Sequence, residues 1–276
     1  MTASTYDFSE FTRRIDERFD RNDLDTFWGC EEPFRELIAS SFVVEAINLQ
    51  LQQLKENPLH IGDWQPKQFI VHRGAGWALS IALFDSTKAY IHTSPYVGLY
   101  APVGEGVLIY DLYELPRGYR NEVFDPQLKL RRAGSGEVRE GEMLRVDSRE
   151  YAYDFKGSSP ALVVKLTCAP FQSLEWLFNK ESLYAWQAND AEVRATQARV
   201  AAYLLGRLAH QSSLEPLEQL TSHPNHAVRW AAIQNIGRLS QKVALQKLEA
   251  ALSDAHPHIR RAAEKTLQQL NRKLAK

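Results

Sequence analysis

Cysteine is nearly absent: Cys30 and Cys168 are the only two in 276 residues. Two thiols are too few to staple a chain of this size, and so low a count fits a reducing compartment. No stretch approaches the roughly 20 apolar residues that cross a bilayer. Residues Met1 to Phe8 lack a basic segment followed by an apolar run, so no secretory signal is expected. These absences together predict a soluble, cytoplasmic protein. Strong charge of one sign is missing too, with a formal net charge of −1. The balance is uneven along the chain: 13 basic against 8 acidic residues after position 180, and 20 against 26 before it. A mild positive excess over the last third is far from a nucleic-acid footprint. Neither nucleic acid nor membrane is an expected partner. There is no Walker loop, no G-x-G-x-x-G after a strand, no G-x-S-x-G and no H-E-x-x-H. Arg73-Gly74-Ala75-Gly76 is too short to cradle a phosphate and reads as a hairpin turn.

The remaining composition is that of a folded protein, 44% hydrophobic and 24% charged, at a length that favours two compact units. Three textures follow one another. Residues 7–56 are helical in period: Phe8, Phe11, Ile15 and Phe19 form one stripe. Pro33 suits the first turn of a further helix, and Asn57-Pro58 ends it. From about Gln68 to Pro170 short β-branched and aromatic runs alternate with turns, among them Trp77 to Phe84, Gly106 to Leu115, Gln127 to Arg131 and Ala161 to Cys168. Eight or so short strands spaced by about ten residues predict a sandwich or barrel. Beyond Phe178 the period is helical again, dense in Ala, Leu, Gln, Glu, Lys and Arg. The composition shifts between Asn179 and Asn189. The expected organisation is an N-terminal helical segment over 1–66 packed on a β-barrel over 67–180, followed by helical repeats over 186–276.

The strongest internal signal is a self-match in the tail. His226-Ala227-Val228-Arg229-Trp230-Ala231-Ala232 returns 31 residues later as Pro257-His258-Ile259-Arg260-Arg261-Ala262-Ala263, and a looser copy begins at Asp190. A period in the low thirties with two helices per unit is a solenoid signature. Alanine pairs let neighbouring helices approach, Val228, Ile236 and Leu239 fill the layers between them, and Asn225 and Asp190 stand where N-caps are wanted. The segment resembles HEAT repeats of the bilin-lyase type, which implies a surface for another protein.

The middle region resembles a cupin, a small double-sheet jelly roll. Tyr90-Ile91-His92-Thr93-Ser94-Pro95 and Gly104-Glu105-Gly106 fall where the first cupin motif lies, and Gly141 to Asp147 resembles the entry to the second. Ser158 to Phe171 is similar to the closing strand of thiol-dioxygenase cupins. Measured against that family, Ser94 replaces the second histidine, and Tyr151 and Tyr153 stand where the second motif's histidine belongs. A catalytic metal normally needs about three protein ligands and an open position. The resemblance therefore implies an α+β multidomain protein whose cupin keeps its shell and loses most of its metal ligands. No catalytic residue and no cofactor is assigned. The alternative is an enzyme, an oxygenase or isomerase, holding iron, nickel, manganese or zinc around His92.

The ligand-binding candidates are His72, His92, Ser94, Arg145, Tyr151 and Tyr153, since tyrosines facing a cavity offer a flat face and a hydroxyl to a small organic ligand. Cys168 sits in an apolar strand as inert packing. The tail also gathers His210, His223, His226, His256 and His258. The pairs 223/226 and 256/258 occupy equivalent turns of consecutive repeats, where imidazoles can bind zinc or simply fill polar cap positions. By analogy with cupins, pairing through a sheet edge makes a homodimer the expected assembly.

Overall fold

The structure, a computed structural model, describes residues 7–57, 64–65, 67–157 and 160–274. Pro58, Ser158, Ser159 and residues 1–6, quoted above, lie outside them. The chain divides into two compact units, Met1–Tyr119 with Pro126–Ala188 and Arg120–Asp125 with Asn189–Lys276.

In the first unit, three α-helices, α1 (Phe8–Arg18), α2 (Glu31–Ile38) and α3 (Phe42–Glu56), precede the sheets. Asp7 caps α1 by accepting from the amides of Ser9 and Glu10, and Pro33 sits in the first turn of α2, where no amide partner is needed. Twelve strands follow: β1 (Trp64–Gln65), β2 (Gln68–Arg73), β3 (Trp77–Phe84), β4 (Tyr90–His92), β5 (Gly98–Val103), β6 (Leu108–Glu114), β7 (Arg131–Val138), β8 (Leu144–Val146), β9 (Tyr151–Lys156), β10 (Ala161–Cys168), β11 (Leu174–Asn179) and β12 (Ala185–Asp190). They form two antiparallel sheets, ordered β1-β2-β3-β10-β5-β8 and β12-β11-β4-β9-β6-β7. The expected barrel is thus a jelly-roll-like pair of sheets, and no strand pairing among the described residues joins them into one closed cylinder.

The first sheet is buried on both faces, and β10 shows how. Val164, Leu166 and Cys168 join the core formed with Phe11, Ile15, Phe27, Phe34 and Leu37 of the N-terminal segment. Ala161 and Val163, on the opposite face, pack with Leu108 and Val138 of the second sheet. The period-2 alternation of a strand thus feeds two cores at once. Trp77 anchors the helical layer, its Nε1–H donating to Asp16 Oδ1 at 2.6 Å.

Three elements differ from the expectation. The strand expected over 127–131 falls one step later, as β7. Its sequence RRAGSGEV reads poorly as a strand because glycine weakens one, yet Gly136 lies opposite Tyr110, where a Cβ would meet the Tyr110 hydroxyl at 2.7 Å. The strands β11 and β12 extend the sandwich past the expected boundary at 180. Asn179 Oδ1 accepts from the amides of Glu181 and Ser182 at 2.9 and 2.8 Å, building the turn that joins them. Asp190 consequently ends a strand and pairs with Arg199, and Glu192 stands at the N-cap of the next helix without a side-chain bond.

The second unit holds α4 (Val193–Leu208), α5 (Leu214–Leu220), α6 (His226–Ile236), α7 (Gln241–Ala251) and α8 (Pro257–Leu274). Asn225 caps α6 as expected, accepting from Ala227 and Val228 amides. Val228, Ala232 and Ile236 are fully buried. The helices α4 and α6 approach closely because Gly206 has no side chain: a Cβ there would lie 2.3 Å from Asn235 Oδ1. Among the described residues no helix is long and apolar enough to cross a membrane.

Candidate functional site

Between the two sheets of the first unit lies a cavity of about 320 Å³, lined from β3, β4, β9, β10 and β11 and the turns beside them. It has the volume of about ten water molecules. Of the six candidates, His92, Ser94 and Tyr153 line it. His92 Nδ1 lies 2.9 Å from Glu175 Oε1, and Ser94 Oγ donates to the Tyr96 carbonyl. Tyr153 accepts from the Asp147 amide and donates to the Arg145 carbonyl, both at 3.3 Å. Burial pushes its hydroxyl up to about 12.

The other three point elsewhere. His72 lies on the helical side of the first sheet, its ring 5.4 Å from Phe8 and 5.1 Å from Trp77. A register shift between Ile70 and His72 interrupts the alternation of β2 on the way there. Arg145 reaches the N-terminal helices, where its Nε donates to Glu31 at 2.8 Å and its guanidinium covers the Trp28 ring at 5.7 Å. Arg145, with Arg35, holds Glu31 below the ordinary carboxylate range. Tyr151 lines a separate shallow cleft with Pro116 and Tyr119.

Sequence reasoning missed the most unusual group in the cavity. Lys165 is only 7% exposed. On β10 it shares the cavity-facing side with Ala161 and Val163, and its Nζ donates to Gln68 Oε1 at 2.7 Å while lying 5.7 Å from the centre of the Tyr100 ring. Burial first, and then the nearby Lys88, pull the amine down to about 8. Its legible signal was a single charge inside the apolar run Ala161-Leu-Val-Val-Lys-Leu-Thr-Cys168. Glu175 carried a similar one, a carboxylate between Leu174 and Trp176. Tyr96 and Tyr100 hydrogen-bond through their hydroxyls, and burial raises both.

The acids lining the cavity each have a partner of their own. Asp85 pairs with Lys67 at 2.6 Å, and Asp154, 3% exposed, accepts from Lys180 at 2.8 Å and Lys156 at 3.1 Å. The third, Glu175, shares its hydrogen bond with His92. Among the described residues no carboxylate pairs with Lys165, whose ammonium has the Gln68 side-chain oxygen as its hydrogen-bond partner. A metal of the cupin kind does not fit this donor set: it offers one imidazole and one carboxylate already bonded to each other, with no second histidine. Cys168, capped by the Val97 amide at 3.3 Å, is pushed up to about 11 by burial, and Cys30 to about 12, so both stay protonated thiols.

The tail histidines separate in the structure. His210 and His223 each fold back on their own turn, binding Ser212 and the Asn225 amide. His226, His256 and His258 converge, each offering a ring nitrogen within 4.8 Å of the others. Burial, then the neighbouring imidazoles, lowers His226 to about 4, and burial lowers His256 also.

The fold is therefore a two-sheet, jelly-roll-like sandwich with a cavity open to solvent, continued in sequence by a helical-repeat array. The HEAT-repeat family pattern matches residues 184–268. Among solved structures, the chain is similar to hydroquinone 1,2-dioxygenase from Sphingomonas sp. TTNP3 with 4-hydroxybenzoate bound (15% identity, 39% of this chain, 69% of that one, TM-score 0.31). It is similar also to ectoine synthase from P. lautus (16% identity, 43% and 77%, TM-score 0.27). A third is protein NMB1881 from Neisseria meningitidis (18% identity, 42% and 94%, TM-score 0.26). Likeness at this level is one of sheet architecture and says nothing about chemistry. No curated protein sequence matches the chain.

Proposed function

We propose that the sandwich is a non-catalytic binding or regulatory module for a small organic anion, with a carboxylate seated on Lys165, and that the repeats present a surface to another protein. Lys165 carries the reading. An ammonium group removed from water loses solvation that a neutral amide only partly replaces, so the cavity favours an anion brought in from solution. Tyr100, Tyr153 and Phe155 supply flat apolar walls beside it. Within the repeats, Val193, Val200, Leu204 and Leu208 are each more than half exposed and fall on one stripe of α4, which supports the partner surface. The rival reading, a metal-dependent oxygenase or isomerase around His92, has too few ligands in the cavity. Two buried thiols with no disulfide suit a cytoplasmic setting.

The test is calorimetric titration of the full chain with benzoate and hexanoate, each against its amide. The carboxylates bind and the amides do not, and Lys165→Met weakens carboxylate binding by about tenfold or more. Affinity falls as pH rises through about 8, where the amine loses its charge. Equal binding of acid and amide, or undiminished binding by the variant, overturns the reading.

A further inference from the structure

The repeat array holds a second constellation, independent of the cavity. Because the 31-residue repeat lays the starts of α6 and α8 side by side, residues far apart in sequence meet there. His226 opens α6, His256 precedes α8, and His258 is its second residue. The rings of His226 and His256 stack 3.6 Å apart and within 2° of parallel, while His258 stands 5.1 Å from His256 at 71°. His256 is 8% exposed, and the two flanking imidazoles are partly open to solvent.

The geometry points to a divalent-metal site at the seam between consecutive repeats, where His226, His256 and His258 take one late first-row ion, zinc foremost, through three imidazole nitrogens, with water completing the shell.

Four observations support it. Three imidazoles without an oxygen donor select zinc-like ions over magnesium or calcium. His256 Nε2–H donates to the Glu122 carbonyl at 2.6 Å, which leaves Nδ1 with the lone pair and orients the ring, as second-shell carbonyls do for ligating histidines. Among the described residues the ring nitrogens of His226 and His258 make no hydrogen bond, so neither has to be pulled from a partner. The partly open pair also gives an ion its way in.

Binding demands a measurable adjustment. Zinc–nitrogen bonds of about 2.0–2.1 Å require ligand nitrogens about 3.3 Å apart in a tetrahedral shell. The nitrogens must therefore close in from as much as 4.8 Å, which tilts His226 and His256 out of their parallel stack. His256 Nδ1 also gives up its long contact, 3.3 Å, from the His258 amide. Two helix N-termini face the spot with partial positive charge, which opposes a cation. Asp190 beside His226 and Asp254 beside His256 act the other way, although each is also tied to an arginine.

The test uses the full chain stripped with chelator and titrated with zinc, then with cobalt(II), whose visible spectrum reports a tetrahedral shell. One equivalent binds per chain. His258→Ala and His226→Gln, both at partly exposed positions and checked for helicity by circular dichroism, each weaken binding by about 100-fold or more. His223→Ala, in the same turn but outside the cluster, leaves it unchanged. The site is overturned by absence of saturable binding, by binding that survives in both cluster variants, or by loss of the bound equivalent on His92→Ala instead.

Discussion

The two units solve opposite problems with polar groups. The sandwich buries an amine, Lys165, beside a cavity whose walls mix aromatic rings with paired charges, and among the described residues no carboxylate pairs with it. The repeat array gathers three imidazole rings where two helices begin, at positions that regular repeats leave to any polar residue. Among the cavity-lining residues His92 is the single histidine, while three others converge in the helical tail. Similar residues thus carry different chemistry according to whether a pleated sheet or a helical period distributes them.

That contrast can be broken one unit at a time. The largest effect belongs to Trp176→Ala. The indole is fully buried between Tyr119 and Phe178, and its loss costs the sandwich about 3–5 kcal/mol. Differential scanning calorimetry is expected to show the sandwich transition falling while that of the repeats stays in place. A joint fall would mean that the units melt as one.

The matching lesion in the repeats is Gly206→Ala. The new methyl would meet the Asn235 side chain at 2.3–2.7 Å, and that side chain is held by its bond to the Ala231 carbonyl, 2.8 Å long. Overpacking of this kind costs about 1–3 kcal/mol and should lower the repeat transition alone.

A smaller change of opposite sign is expected from Lys165→Met. The folded protein holds this amine near 8 against an ordinary 10.5, so folding disfavours the charged form. The variant is more stable at pH 7 by about 1–2 kcal/mol, less than the full shift implies because Gln68 loses its donor. In the wild type the unfolded chain binds more protons than the folded one between about 8 and 10.5, so stability rises with pH across that window. The rise vanishes in the variant, and chemical denaturation at pH 7 and 10 measures both. A destabilised variant would show that the ammonium is well accommodated, which would also remove the reason for it to seek an anion.

Much of the fold was legible in the residues themselves. The stripe Phe8, Phe11, Ile15, the strand Trp77 to Phe84 and the 31-residue self-match each state a period, and period is what backbone geometry responds to. The strand β7 starts later than its local pattern suggests because one of its glycines, Gly136, makes room for Tyr110 across the sheet, a requirement that no local pattern records. The hairpin β11–β12 was overlooked because Ala185 to Asp190 has no strong preference of its own and is held by pairing with β11. In the cavity, His92, Ser94 and Tyr153 came from motif positions, whereas Lys165 and Glu175 escaped notice as isolated charges in apolar runs.

By itself, then, the sequence determined the order of helices, sheets and repeats, because hydrophobic periodicity acts over neighbouring residues. It also determined the scarcity of metal ligands in the sheets. Tertiary structure alone decided which side of each strand faces the cavity, that Arg145 and His72 turn to the helical layer, that the amine of Lys165 is buried against Gln68, and that His226 meets His256 and His258. Those are facts of distance between segments far apart in the chain, and only packing brings such segments together.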